Sequence, residues 1–261
     1  MSPLAAPVTY WGIRCVWLRY FDVFRKSVLF YFVSTFIEPV LYLLSFGLGV
    51  GSLIGTVTTG GMPLSYRSFV FAGIIGQTVM FQGFYEASFG GFVRMYYQKI
   101  FSAMAVTPIT LSEVLWGELL WDATKSAVAA EVVALIGVCT GDFPPLSLLT
   151  LLPVLVASSL LFSGMGLAAA ALAQSIDAIS YPQYLLIFPM FLFCGVFYPI
   201  DNLPAVFQVM AWSLPLTSVN SLVRTLALGT TFQPHAVAIL SAWLIGLLLF
   251  SHRAMVRRLV K

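Results

Sequence analysis

From Val28 to Leu53 the chain runs with Glu38 as its only charge, which exceeds the ~20 apolar residues a helix needs to cross the hydrocarbon of a bilayer. Comparable stretches follow at Phe69–Phe92, Leu111–Cys139, Leu146–Ala173, Tyr181–Tyr198 and His235–Phe250. Only 9% of the residues are charged and 60% are hydrophobic, against about 25% charged in soluble domains, so the bulk of the chain cannot face water. Strands of a membrane barrel would show as ~10-residue alternating segments, and these runs are longer and do not alternate. The pattern predicts an all-α integral membrane protein: one domain of six transmembrane helices, with little of the 261 residues left over.

Charge sets the orientation. Arg14, Arg19, Arg25 and Lys26 precede the first span, Arg94 and Lys99 follow the second, and Arg253, Arg257, Arg258 and Lys261 follow the last. Lys and Arg are retained on the cytoplasmic side, so both termini are expected there. Of the 13 basic residues only Arg67 and Arg224 then fall outside, and Lys125 falls within the third span. A net charge of +3 gathered at membrane edges speaks for orientation and against nucleic-acid binding. Val8–Lys26 reads as an amphipathic helix with Ile13, Val16, Trp17, Tyr20, Val23 and Phe24 on one side and Arg14, Arg19, Asp22, Arg25 and Lys26 on the other. Such a helix lies in the interface. A cleavable signal peptide is not expected, because arginines interrupt the first 27 residues.

Ionisable residues inside spans are costly and face protein or water. Glu38 precedes Pro39, which is expected to kink its helix, and Gln82 and Glu86 stack four apart on the second span. Glu118, Asp122 and Lys125 share a narrow arc of the third span, so Lys125 is placed to neutralise a carboxylate of its own helix. A structural ion pair near the cytoplasmic boundary is the preferred reading of this trio, with a gating cluster as the alternative. Glu131 projects from the opposite face. Cys15, Cys139 and Cys194 lie in or beside apolar segments, and His235 and His252 are far apart, so no metal site is expected.

Between spans, Gly60–Ser68 is expected to be a short outside loop, Gly141–Pro145 a tight outside turn and Gln174–Ser180 a short inner loop. Residues 201–233 are apolar yet broken by Pro204, Pro215 and Gly229, which suits re-entrant half-helices at the outer face. After the second span, Tyr97–Val106 contains no Gly or Pro and stops before Thr107-Pro108, so a short helix along the membrane surface is expected. From the residues alone a bare connecting loop accounts for this stretch equally well.

The segment FYEASFGGFVRMYYQKIFSAMAVTPITLSEVLWGELLWDATKS, residues 84–126, resembles the loop-plus-helix signature of ABC-2 type permeases, within them the NodJ-like branch that exports lipo-oligosaccharide nodulation factors. WSLPLTSVNSLVRTLALG, residues 212–229, resembles the same family's outer re-entrant helices. The resemblance implies a type V exporter-like fold in a bacterial inner membrane. It makes Tyr97, Gln98, Lys99, Ile100, Phe101, Ser102, Ala103, Met104, Ala105, Val106, Thr107 and Pro108 the coupling helix and its stop, docking on a separate NodI-like ABC ATPase. Gln174 and Asp177 would be secondary docking residues. ATP and Mg²⁺ would then belong to the partner, and this chain, which has no G-x-x-x-x-G-K-[ST] loop, would carry no cofactor and no catalytic residue. Two copies would pair, the first and fifth spans lining the seam, with Tyr42, Phe46, Tyr184, Phe188 and Phe191 along the path of an amphiphilic substrate. A drug or polysaccharide exporter is the near alternative. A proton-coupled carrier using Glu38, Glu86 and Glu131 is the distant one, and a non-transporting scaffold ranks below both.

Overall fold

The computed structural model describes residues 8–259; Lys261, expected in the basic tail, lies outside them. Thr9 caps the first helix, α1 (Tyr10–Phe24), its hydroxyl accepting from the Gly12 amide. Helix α2 (Val28–Tyr42) carries Pro39 inside it, and the backbone runs on through wider π-type turns over Leu43–Gly49 and a tight turn over Val50–Ser52. The helix is therefore not broken at Pro39. It changes pitch only from Leu43 onward.

Beyond it the chain forms a feature the composition did not announce. Strands β1 (Thr56–Thr59) and β2 (Met62–Ser65) pair antiparallel, with Thr59 opposite Met62 across the Gly60-Gly61 turn. Both glycines have positive φ, the conformation that tight hairpin turns demand. The expected outside loop is thus a hairpin, since the alternating Thr-Val-Thr-Thr run suits a pleated edge better than coil.

Helix α3 (Tyr66–Tyr85) extends in the same helical sense through π-type turns at Glu86–Gly90 and Val93–Tyr97. It stops at Lys99, which sits at φ 52, the sole non-glycine residue in the left-handed region among the described residues. The six-residue α4 (Ile100–Ala105) follows, so the expected surface helix is shorter than Tyr97–Val106, with Tyr97 in the preceding turn and Gln98 and Lys99 in the corner. A capping box built by Thr110 and Glu113 starts α5 (Leu111–Cys139), and α6 (Ser147–Leu172) returns after the Gly141 turn.

A short α7 (Ser180–Pro182) passes through a π-type stretch, Gln183–Ile187, into α8 (Phe188–Phe193). At 1.5 Å per residue the run from Ser180 to Phe193 is about 21 Å long, and the last five residues of the expected Tyr181–Tyr198 span, 194–198, follow it as non-helical chain. Helices α9 (Ala205–Ser213) and α10 (Pro215–Leu228) meet at 86°, and α11 (Pro234–Leu259) closes the bundle. The last helix continues through His252 to Leu259, so Arg253, Arg257 and Arg258 ride on it rather than on a separate tail. Among the described residues α6 and α11 are each long and apolar enough to cross a membrane, and the bent pair α9 and α10 meets the same test as one unit.

The core lies between α3, α5 and α6, with α10 and α11 packed around it and α1 laid across α5. Small residues set the separations. A Cβ on Gly166 of α6 would stand 2.5 Å from the Phe84 carbonyl oxygen, and one on Gly117 of α5 would stand 2.6 Å from the Val16 side chain of α1. Close backbone approach of this kind drives helix association where lipid removes the hydrophobic incentive. Ser126 Oγ donates to the Val79 carbonyl at 2.9 Å, and Ser159 Oγ donates to Ser126 Oγ at 3.2 Å, linking the three central helices.

At the hairpin end, Arg67 pairs with Asp142 at 2.9 Å and Ser68 donates to the same carboxylate at 3.0 Å, fastening α3 to the turn between α5 and α6. Arg224 of α10 is buried there. Its Nη2 donates to the Gly195 carbonyl at 2.6 Å, and its guanidinium lies 3.7 Å from the Phe69 ring centroid. Arg224, expected on the outer side, is held by carbonyls and an aromatic face. Replacing Gly166 by Val is expected to cost roughly 1–3 kcal/mol through overpacking, read as a lower melting midpoint in detergent. Gly164→Ala, whose nearest foreign atom is 3.7 Å away, is expected to leave that midpoint unchanged or raised.

Candidate functional site

Five ionisable side chains converge where the corner after α3 meets α5. Arg94 contacts three carboxylates: Glu86 at 2.8 Å, Glu118 at 2.5 Å and Asp122 at 3.0 Å. Lys125 Nζ pairs with Glu86 as well. Glu118 and Asp122 are fully buried, and Arg94 and Lys125 are nearly so. The geometry follows from helix spacing: Glu118, Asp122 and Lys125 lie on one face of α5, while the π-type turns after α3 bring Glu86 and Arg94 to that same face.

Helix α1 roofs the cluster. The Arg94 guanidinium faces the Tyr20 ring at 5.4 Å, and Lys125 lies 5.3 Å from the Trp121 ring. Burial, and after it the Glu118 carboxylate, push the Tyr20 hydroxyl well above its ordinary range, so it stays protonated beside the acids. Trp17, Tyr20, Phe21 and Phe24 all pack on Trp121, and Trp17 Nε1 donates to Thr124 Oγ1 at 3.2 Å. Glu113 fastens the helix start: its Oε1 accepts from the Thr9 amide at 2.8 Å and from the Thr9 hydroxyl, and its Oε2 accepts from the Thr110 amide at 2.7 Å.

Five residues beyond Arg94, Lys99 turns the chain into α4. Phe101 and Met104 of α4 are buried against the body. Lys99, Ser102, Ala103, Ala105 and Val106 face outward, together with Tyr96, Tyr97 and Gln98, and Thr107 closes the turn by donating from Oγ1 to the Met104 carbonyl at 2.6 Å. Thr107 and Pro108 are exposed, and Ile100 is half-buried. Gln174 and Asp177 are exposed in the connection after α6.

The predicted polar residues divide. Glu86, Glu118, Asp122 and Lys125 come together, with Lys125 paired across helices to Glu86 where a partner on its own helix was expected. Glu38 stands apart, half-buried near Gln77 and Tyr42, and half-buried Glu131 has one enclosed oxygen with no hydrogen-bond partner. The aromatic candidates also assemble. Tyr42 is 5.8 Å from Phe191 and 6.3 Å from Phe46, and Tyr184 stacks on Phe188 at 5.5 Å. Phe197 and Phe81, not anticipated, complete the set: Phe197 stacks on Phe46 at 4.2 Å and Phe81 lies 5.3 Å from Phe191.

Residues 13–228 match the family model of the ABC-2 type transporter, a range that takes in the charged cluster, α4 and the bent pair α9 and α10. The chain belongs to the ABC-2 transporter family. It is 35% identical over 214 residues to nodulation protein J of Rhizobium leguminosarum bv. trifolii, covering 82% of this chain and 80% of that one. Nodulation protein J of Rhizobium leguminosarum bv. viciae is 32% identical over 251 residues, covering 94% of both chains. The inner membrane transport permease YadH of Escherichia coli is 25% identical over 244 residues, covering 90% of this chain and 93% of its own.

As an ABC-2 chain this protein is a membrane transport component rather than a catalyst. Two of its key residues escaped sequence reasoning. Arg94 counts as a positive-inside marker until the helix is known to continue past Gly91, and the signal that could have found Glu113 is its place as the fourth position of a Thr-x-x-Glu capping box. Replacing Arg94 by Met would leave three buried carboxylates against Lys125 alone, and breaking a buried network this way costs roughly 3–5 kcal/mol. Melting in detergent is expected to show that loss, and Asp122→Asn in the same chain is expected to recover part of it. Additive losses in the double variant would show that the two residues are uncoupled.

Proposed function

We propose that this chain is the membrane-spanning permease subunit of an ABC exporter, carrying an amphiphile such as a lipo-oligosaccharide across a bacterial inner membrane. A separate ATPase would supply the energy. In this reading six spans are formed by α2 with its π-type extension, α3, α5, α6, the α7–α8 run and α11. The bent α9–α10 pair is the outer re-entrant segment, and both termini lie in the cytoplasm.

The observation that carries the reading is the link between α4 and the charged cluster. An exposed helix anchored by Phe101 and Met104 stands five residues from Arg94, whose guanidinium ties α5 to the end of α3 beneath α1. A push on α4 by a docked ATPase is transmitted through Arg94 into α5 and α1, because a buried network of this kind resists separate movement of its members. The π-type turns around Glu86 and Arg94 are the places where such a helix gives. The aromatic cluster of Tyr42, Phe46, Phe188 and Phe191 lies along α2 and α8, the elements proposed to line the seam between two copies, and offers an apolar wall to an acyl chain.

Purification of the tagged chain from its own host in mild detergent is expected to bring down a P-loop ATPase. Lys99→Glu, or a glycine inserted between Ser102 and Ala105, is expected to abolish that capture or to uncouple ATP hydrolysis from export. A chain that purifies alone and moves substrate under a proton gradient without ATP would overturn the proposal. Phe188→Ala with Phe191→Ala is expected to lower export several-fold while the complex still assembles, and unchanged export would remove both rings from the path.

A further inference from the structure

At the arginine-rich end of the bundle, the last turns of α11 and the end of α6 enclose a recess of about 550 Å³. Arg253, Arg257 and Arg258 line it with Gln174, and no carboxylate does. Arg258 is engaged, donating from Nη1 to the Ala171 carbonyl at 2.9 Å and to that of Ala173, which caps α6. Arg253 and Arg257 are exposed and have neither ion pair nor hydrogen bond among the described residues. They stand one helical turn apart, where like charges repel, with a third guanidinium beside them.

A second recess, also about 550 Å³, lies beside the first and shares Leu172, Gln174 and Phe250 with it as a common wall. Its walls are apolar: Met165, Ala169, Leu186 and Leu247 line it between α6, α11 and the π-type stretch before α8. Met165 lies about 10 Å along α6 from Leu172, so the groove runs from the basic rim toward the middle of the bundle. A helix C-terminus favours arginine by itself. It does not account for an apolar recess beside two guanidinium groups that lack counter-charges among the described residues.

We infer that the joined recesses hold an anionic phospholipid of the adjoining leaflet, its phosphate between Arg253 and Arg257 and one acyl chain along the groove toward Met165. The guanidinium fork matches phosphate oxygens, and such an anion removes the repulsion between the two arginines. The charge complementarity selects an acidic lipid over a zwitterionic one. This inference rests on the membrane reading above but needs neither the ATPase nor transport, so it can fail while that reading stands.

The test is native mass spectrometry of the full chain released from nanodiscs that contain phosphatidylglycerol and phosphatidylcholine with identical acyl chains. Wild-type protein is expected to retain phosphatidylglycerol over phosphatidylcholine by roughly tenfold, and Arg253→Gln with Arg257→Gln to erase that preference. Arg14→Gln with Arg19→Gln, a matched loss of charge on α1, is expected to preserve it. Ala178 also lines the apolar recess, and Ala178→Trp, which narrows it without replacing an arginine, is expected to lower retention of phosphatidylglycerol and keeps the test decisive should the double arginine variant fail to fold. Equal retention of the two lipids by wild-type protein, a preference that survives loss of both arginines, or displacement of the lipid by inorganic phosphate would each overturn the proposal.

Discussion

Two cations and three carboxylates buried together inside a helical bundle are tolerable only while all of them stay in place, and the half of this protein that carries α4 is built on that condition. Removing charges from water costs several kcal/mol per ion, and good geometry among the partners is what offsets it. Arg94 meets the condition by reaching Glu86, Glu118 and Asp122 at once, and Lys125 returns to Glu86. The end of α3, the first half of α5 and the roof formed by α1 are thereby fixed with respect to one another. The position of α4 follows, because it hangs from the same corner.

The opposite end solves the problem of buried charge differently. Arg224 finds its acceptors in backbone carbonyls and the face of Phe69, and Arg67 finds Asp142 at the rim. Single cations there hold a loop-rich surface, whereas at the α4 end a shared network joins long helices.

Much of the architecture was legible in the residues. Helix α5 begins and ends where the apolar run does, because Thr110 and Gly141 punctuate it, and the bent pair α9 and α10 lies where Pro204, Pro215 and Gly229 interrupt an apolar stretch. Resemblance to ABC-2 permeases carried the family. What stayed hidden depended on contacts between distant segments or on backbone states that composition does not encode. The length of α4 was misjudged because Lys99 adopts a left-handed conformation that glycine usually supplies. Lys125 was paired with its own helix because sequence spacing shows only neighbours on one rod. The hairpin was overlooked because two four-residue strands carry too little pattern to stand out from a loop.

The fastening of α1 has a consequence for the order in which the protein is made. Thr9 binds Glu113 across 104 positions of sequence, and Trp17 reaches Thr124 across 107. At roughly 5–20 residues per second, ribosomes leave the first helix without its partner for several seconds or more. In the proposed reading, that interval leaves its aromatic face in the headgroup region of the bilayer, with the arginines on its other face toward water. In that reading the amphipathic pattern expected to place the helix on the membrane surface also describes a waiting state, and the N-terminal helix, although first to leave the ribosome, is set in place only after α5 has been made.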